Sequence, residues 1–203
     1  MITLDDVDAK IPKDKTIGVL VSGGFDSAVL WYAVKKICLQ RNQQCNPYTI
    51  PKLDGAEYHA KNVLKTTCEL LGIPEIETTM VGQFSEDPGE YTRSGVKDVI
   101  ALKHEEFALT AVTAYFNELE HHVEPEERKR PNEYQLKFME QPFFYHTKNE
   151  TVAFAKTLGI LDALMPITHS CTQQSISRCN ECYWCKERKM AFDKENLTDI
   201  GNI

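Results

Sequence analysis

The feature that most constrains this chain is an apolar run that ends in a double-glycine turn. Residues 17–21 are aliphatic around a single glycine, and the string Ser22-Gly23-Gly24-Phe25-Asp26-Ser27 follows at once. A helical pattern of apolar positions begins at Ala28. This order predicts a buried strand, a tight turn and the N-terminus of a helix.

The turn at residues 22–27 has the composition of a phosphate cradle. Glycines let backbone N–H groups approach a ligand closely, and a helix N-terminus favours negative charge. It is not a Walker loop, because Gly-x-x-x-x-Gly-Lys-Ser/Thr does not occur. The structural alternative is an ordinary strand–turn–helix junction with Ser27 or Asp26 as N-cap.

Strand-like and helix-like segments alternate along the first half of the chain. Strand patterns cover residues 16–21, 48–51 and 76–81, and helix patterns cover residues 27–39 and 56–71. This alternation predicts an α/β fold with a parallel, Rossmann-like sheet and helices on both faces. Ligands of such sheets bind beyond the carboxyl ends of the strands, where the 22–27 turn falls.

The second half of the chain gives weaker patterns. Helical spacing predicts a long helix that ends near Phe116 and begins near Val99. Residues 121–131 predict an exposed charged loop, and residues 134–139 a further strand. A helix over residues 147–158 is predicted from a capping box of Thr147 and Glu150.

Four cysteines lie close together near the C-terminus, with the spacing Cys-x7-Cys-x2-Cys-x2-Cys. They are Cys171, Cys179, Cys182 and Cys185. Four thiolates close a tetrahedron around a structural zinc ion, and zinc is the favoured metal. An iron–sulfur cluster uses the same ligands and remains the main alternative, beside redox thiols. We expect an α/β domain over residues 1–165 and a zinc-binding lobe over residues 166–203.

Composition and the remaining residues limit the function classes. A net charge of −7 argues against a duplex nucleic-acid partner, which needs a basic face. The sequence has no membrane-span pattern and no signal-peptide pattern, so a cytoplasmic protein is expected. Cys38, Cys45 and Cys68 are predicted to be small buried residues. A homodimer is compatible with Phe25, Trp31 and Tyr32 at a surface, although these residues suit the core equally.

The 22–27 turn resembles the PP-loop of the N-type ATP pyrophosphatases, which cleave ATP between the α and β phosphates. The turn and the cysteine spacing together make the chain resemble the QueC family of 7-cyano-7-deazaguanine synthases. Two further blocks carry that resemblance, at residues 142–159 and 169–192. A weaker similarity lies at Asp54-Gly55 and His59.

Departures from the family fall on segments that belong to its substrate side. The family's Gln-Arg pair after the second strand is replaced by Ala56-Glu57. Its Pro-Gly-Arg-Asn segment has no clean counterpart, and only Arg93 and Lys97 lie nearby. The charged residues 121–133 stand in place of its Tyr-Pro-Asp-Cys-Arg segment. The resemblance therefore supports ATP chemistry and zinc more strongly than a deazapurine substrate.

The resemblance implies an ATP-dependent ligase with Mg²⁺ bound to ATP. A carboxylate, 7-carboxy-7-deazaguanine in this family, would be adenylated with release of pyrophosphate, and ammonia would convert it to an amide and then a nitrile. The implied ATP-binding residues form one stretch: Val21, Ser22, Gly23, Gly24, Phe25, Asp26, Ser27 and Ala28.

Single residues outside that stretch carry weaker assignments. Asp26 is expected to hold Mg²⁺ or cap the helix. Lys148 is a candidate to approach the phosphates, with a surface helix lysine as the alternative. Arg188 is a candidate for substrate or phosphate contact, with a solvated arginine as the alternative. His59 and Arg93 are weaker candidates still, and Trp184 is expected to pack the zinc lobe onto the sheet.

Three other functions stay open at this point. The enzyme could adenylate a different carboxylate or a nucleic-acid base. It could transfer sulfur, as PP-loop tRNA thiolases do, with Cys45 as the reactive thiol near the ATP loop. It could also be a non-catalytic zinc-ribbon interaction module on a nucleotide fold.

Overall fold

The computed structural model describes residues 1–51, 54–81, 105–116, 118–119 and 131–201. Within them the chain forms an α/β fold around a five-stranded sheet. The helices are α1 (Leu4–Asp8), α2 (Phe25–Gln40), α3 (Ala56–Leu71), α4 (Lys148–Thr157), α5 (Leu161–Leu164) and α6 (Tyr183–Lys194). The strands are β1 (Ile17–Leu20), β2 (Cys45–Thr49), β3 (Thr79–Met80), β4 (Phe107–Leu109) and β5 (Met139–Glu140).

Strand β1 lies at the centre of the sheet. The strand order is β3-β2-β1-β4-β5, and every pairing is parallel. Val19 of β1 lies opposite Pro47 of β2 and Leu109 of β4. A parallel sheet needs crossover connections, and α2 and α3 supply two of them. The predicted parallel α/β fold is confirmed.

Helix α2 is buried on nearly all sides, which explains its weak amphipathic pattern. Phe25, Leu30 and Trp31 are at most 1% exposed. They pack with Ile17 and Val19 in the main hydrophobic core. Phe25, Trp31 and Tyr32 thus belong to the core, and the suggestion that they form a dimer surface is wrong.

Several helix ends fall where local sequence places them. Helix α3 ends at Gly72, which adopts a left-handed conformation with φ of 64°, as a C-terminal glycine does. Helix α4 has the predicted capping box, in which the Thr147 N–H donates to Glu150 at 3.1 Å.

The start of α2 differs from the prediction. Helix α2 begins at Phe25 with Gly24 as N-cap, so the predicted N-cap at Asp26 or Ser27 is wrong.

The predicted helix over residues 99–116 is wrong in its described part. Residues 107–109 form β4, which pairs with both β1 and β5. Phe107, Ala108 and Leu109 are all buried, at 7%, 0% and 0% exposure. A strand covered on both faces is apolar throughout, and such a short run also satisfies helical spacing.

The predicted strand over residues 134–139 is mostly wrong as well. Residues Gln135–Lys137 form a 3₁₀ turn, and the strand β5 is Met139–Glu140. The predicted loop at residues 121–131 lies outside the described residues apart from its last position, and Arg93 and Lys97 also lie outside them. Among the described helices, none has both the length and the apolar character that a bilayer crossing requires.

Candidate functional site

The 22–27 turn leaves the carboxyl end of the central strand β1 and leads into α2. Gly23 has φ of +78°, and a Cβ there would lie 2.5 Å from the Cβ of His59 and 2.9 Å from the N of Ala60. Its carbonyl accepts the N–H of His169 at 2.9 Å. Both the positive φ and the close approach of α3 require glycine at this position.

The two serines of the turn are bonded to each other. The Ser27 hydroxyl accepts the backbone N–H of Ser22 at 3.1 Å and donates to the Gly24 carbonyl at 2.9 Å. The Ser22 hydroxyl lies 3.1 Å from that of Ser27. These contacts close the turn, and Ser22, Gly24 and Ser27 line the cavity beside it.

A cavity of about 230 Å³ lies against this turn. Its walls come from the turn, the starts of α3 and α4, and the segment around the first cluster cysteine. The lining residues are Ser22, Gly24, Phe25, Asp26, Ser27, Asp54, Ala56, His59, Ala111, Lys148, His169, Ser170, Cys171, Thr172 and Trp184.

Lys148 lies between two carboxylates at the cavity wall. Its ammonium is 2.8 Å from Asp26 Oδ2 and 3.0 Å from Glu187 Oε2. Burial opposes the charged form of Lys148, but the two carboxylates outweigh it and raise its pKa. Lys148 is 4% exposed, so the surface-lysine alternative is wrong. It stays charged, and it faces the cavity.

Two histidines form a stacked pair on another wall. The rings of His59 and His169 have centroids 4.3 Å apart and an interplanar angle of 10°. Their Nε2 atoms lie 2.7 Å and 2.6 Å from the carbonyl oxygens of Ser175 and Gln174. A carbonyl only accepts, so each ring donates from Nε2. The pair therefore fixes the segment that joins Cys171 to the later cysteines.

The four predicted metal ligands come together. The sulfur atoms of Cys171, Cys179, Cys182 and Cys185 all lie within 4.8 Å of one another. The Sγ atoms of Cys179 and Cys185 are 4.0 Å apart. A single ion with metal–sulfur distances of about 2.3 Å separates its ligands by roughly 3.8 Å. The donor set and its spacing fit one tetrahedral ion.

Hydrogen bonds favour one thiolate of this group before any metal binds. Desolvation opposes the charged form of Cys179, but hydrogen bonds led by the backbone N–H of Cys182 lower its pKa to about 7. Burial raises the pKa of Cys185. A metal ion would have to displace the proton of Cys185, so its binding falls with acidification.

Arg188 does not line the cavity. It is 0% exposed, and its guanidinium donates to Asp199, to the Thr168 carbonyl and to the Met165 carbonyl. Arg178, next to Cys179, also bonds Asp199. The solvated alternative is wrong, and the geometry gives Arg188 a structural role in place of the suggested substrate contact.

Trp184 and the three cysteines outside the cluster differ in their position relative to the cavity. Trp184 lies at the cavity. Cys45 pairs with Ile17 at the start of β1, five positions before the 22–27 turn at roughly 3.3 Å each, so it does not lie near that turn. Like Cys38 and Cys68, it is buried, which confirms the expectation for these three.

Sequence reasoning gave no role at this site to Asp54, His169 or Glu187, although all three lie in segments that carry the family resemblance. His169 lies at the start of a matching block, and that position was its only signal. The contact of Glu187 with Lys148 had no signal in the sequence, because it joins two helices that are far apart along the chain.

The fold and this site define a class of protein: an α/β domain with a glycine turn after the central strand and a cysteine cluster beside the same cavity. Residues 110–196 match the family model of queuosine biosynthesis protein QueC. The matched range is less than half of the chain and contains the cysteine cluster, whereas the 22–27 turn precedes it. Over this range the chain is similar to that family.

Two solved structures share the fold. The U34-tRNA thiolase NcsA from Methanococcus maripaludis, with its [4Fe-4S] cluster, has a TM-score of 0.50 at 14% identity, over 95% of this chain and 70% of that one. The NMN synthetase from Francisella tularensis has a TM-score of 0.54 at 11% identity, over 98% and 88%. A comparison with curated proteins found no match.

Proposed function

We propose that this protein is an ATP-dependent ligase that adenylates a carboxylate and releases pyrophosphate. The most specific form of the proposal is the conversion of 7-carboxy-7-deazaguanine to 7-cyano-7-deazaguanine with ammonia. The observation that carries it is the cavity at the carboxyl end of β1, which the 22–27 turn, Lys148 and the cysteine segment all line.

The phosphates of ATP would lie in the cradle of the 22–27 turn. The residues proposed to hold them are Val21, Ser22, Gly23, Gly24, Phe25, Asp26, Ser27 and Ala28. The first turn of α2 leaves backbone N–H groups without helical partners, and these favour an anion. Lys148 adds a positive charge at the same wall. Mg²⁺ bound with ATP would neutralise phosphate charge, and Asp26 is a carboxylate suited to hold it.

The reaction would proceed by adenylation of the acid, displacement of AMP by ammonia, and a second ATP-dependent activation of the amide. A carboxylate oxygen of the substrate attacks the α-phosphorus, the bond to the bridging oxygen breaks, and pyrophosphate leaves. Ammonia then attacks the acyl carbon of the adenylate, and AMP leaves to give the amide. A second ATP would adenylate the amide oxygen and release a second pyrophosphate; that oxygen would then leave as part of AMP while the nitrogen loses its two protons, which gives the nitrile. The protein contributes position and charge stabilisation at each step.

The cysteine cluster is proposed to hold structural zinc in a lobe of residues 166–203. Its compact sulfur spacing supports a single ion, because a four-iron cluster binds each cysteine to a different iron and so spreads the sulfurs. Zinc has no redox chemistry, and four thiolates leave it no open position. The cluster would therefore hold the cavity wall around Cys171 and take no part in the chemistry.

A second candidate is sulfur transfer to a nucleic-acid base. The observation in its favour is that Cys171, a cluster cysteine, lines the cavity, and that a neighbour in fold is a tRNA thiolase with an iron–sulfur cluster. Metal analysis of protein purified without oxygen separates the two candidates. One zinc per chain supports the ligase, and about four irons with acid-labile sulfide would support the thiolase.

The decisive test is pyrophosphate release from Mg·ATP by the metal-loaded protein. Assays would contain 7-carboxy-7-deazaguanine and ammonium together, each alone, or neither. We expect release that depends on the deazapurine, with amide and nitrile products detected by mass spectrometry. Gly72→Ala, far from the turn and with nothing within 4 Å of the added Cβ, serves as an active control.

Each outcome leads to a different conclusion. ATP binding without deazapurine-dependent release would move the proposal to another acceptor carboxylate or base. Absence of any ATP binding by calorimetry would contradict the ligase and favour a non-catalytic interaction module.

A further inference from the structure

A buried acidic residue lies behind the lysine of the cavity wall. Glu187 is 0% exposed and does not line the cavity itself. Its Oε2 is 3.0 Å from the Lys148 ammonium, and its Oε1 accepts the Tyr183 hydroxyl at 3.1 Å. Glu187 thus accepts a hydrogen bond from its own helix and contacts Lys148, which lines the cavity.

The three charged residues connect the helix after the glycine turn with the helix that carries Cys185. Asp26 belongs to the first turn of α2, Lys148 begins α4, and Glu187 lies on α6 just after Cys185. Removing a carboxylate from a buried trio changes the position and the charge balance of the ammonium between the other two. The location of Lys148 in the cavity therefore depends on a residue of the cysteine-bearing helix.

The trio carries one negative charge in excess, since two carboxylates share a single ammonium. An ammonium can pair with more than one anion, and the Lys148 nitrogen lies 2.8 Å from an oxygen of Asp26 and 3.0 Å from one of Glu187. If Asp26 were the only partner, a cation that took Asp26 would leave the buried ammonium unpaired. With Glu187 present, Lys148 keeps one carboxylate partner while Asp26 binds a cation.

We propose that Glu187 is a positioning residue for the nucleotide: it holds Lys148 at the cavity wall so that the ammonium meets phosphate while Asp26 is released to Mg²⁺. This inference rests on the proposed function. It assigns Glu187 no contact with ATP, so its effect must pass through Lys148.

A double-mutant cycle on Mg·ATP affinity tests this directly. Glu187→Gln keeps the shape and an acceptor for Tyr183 but removes the charge. We expect it to weaken Mg·ATP binding about tenfold in the native background, the scale of one charged hydrogen bond. In the Lys148→Met background we expect the same change to have less than a twofold effect. Calorimetry on zinc-loaded protein measures all four affinities.

Two further measurements separate positioning from a general structural role. The half-saturating Mg²⁺ concentration for nucleotide binding should rise about tenfold in Glu187→Gln, because Asp26 becomes the sole partner of Lys148 and competes with the cation. Asp193→Asn, which removes an exposed carboxylate from the same helix, should leave both quantities unchanged. If Glu187→Gln does not fold, Tyr183→Phe takes its place, with a two- to threefold effect that also disappears in Lys148→Met.

The outcomes distinguish this inference from the proposed function. Equal effects of Glu187→Gln in both backgrounds, or an unchanged Mg²⁺ dependence, would overturn the positioning role while ATP binding stands. A native protein that does not bind Mg·ATP would overturn both.

Discussion

The 22–27 turn and the cysteine segment line the same cavity, but different forces hold them in place. The turn lies between a central strand and a helix that are both buried in the hydrophobic core. The cysteine segment has little regular structure before α6, and buried ion pairs of Arg188 and Arg178 with Asp199 hold it. Packing in the hydrophobic core thus fixes the first region, and buried ion pairs fix the second, where a metal ion is also proposed.

The largest expected effect in this comparison is on the ion-pair side. Arg188→Leu should lower the free energy of unfolding by about 4 kcal/mol, because it leaves the buried carbonyls of Thr168 and Met165 without their donor and removes one of the two arginines that pair with Asp199. Urea denaturation measures the change. Lys189→Met, which removes an exposed cation one position further along, should stay within about 0.5 kcal/mol. A loss below 1 kcal/mol in Arg188→Leu would mean that the segment is held by other contacts.

In the 22–27 turn, Gly23→Ala should lower the free energy of unfolding by about 3 kcal/mol and abolish nucleotide binding. The new methyl group would meet the backbone of α3, and a positive φ is unfavourable for alanine. Gly72→Ala provides the matched control, because its φ is also positive but nothing lies within 4 Å. The control should cost about 1 kcal/mol and retain binding. Equal costs for the two variants would show that φ alone matters at Gly23.

Metal removal should separate the two regions by location. If the free metal concentration is a hundredfold above Kd, removal of the metal lowers the free energy of unfolding by about 2.7 kcal/mol. Hydrogen exchange should then lose protection in residues 171–185 and keep it in α2. Equal loss in both regions would indicate that the metal supports the whole domain.

Acidification should also weaken metal binding, because the pKa of Cys179, near 7, lets protons compete with the metal for the thiolates.

The smallest effect is expected from Ser27→Ala. It removes the acceptor of the Ser22 N–H and a donor to the Gly24 carbonyl, at a cost of about 1 kcal/mol. Thr157→Ala removes an exposed hydroxyl that bonds within its own helix and should have little effect. If both variants bind Mg·ATP as the native protein does, the serine contacts do not shape the cradle.

Local sequence predicted the elements that have strong boundary signals. Helix α3 falls at the predicted residues because Gly72 ends it, and α4 because Thr147 and Glu150 cap it. The same reasoning failed at β4, where Phe107 and Leu109 fit a helical spacing. Only pairing with β1 decides that this apolar run is a strand, and pairing partners are distant in sequence.

For the candidate site, the sequence indicated the glycine turn, the four cysteines and Lys148, since each follows from a local pattern or from a resemblance. It gave no indication that Glu187 lies behind Lys148 or that His59 stacks on His169. It also suggested exposure or ligand contact for Arg188, which is buried. These outcomes depend on contacts between helices and loops that local spacing does not encode.

The sequence by itself determined the parallel α/β fold, the phosphate-type turn and a compact cysteine cluster, because hydrophobic period, glycine position and ligand spacing act over a few residues. Only the tertiary structure decided which charges meet at the cavity wall and which are buried behind it. Burial and ion pairing depend on distances between segments more than a hundred residues apart, such as Asp26 and Lys148, which the folded chain alone brings within 2.8 Å.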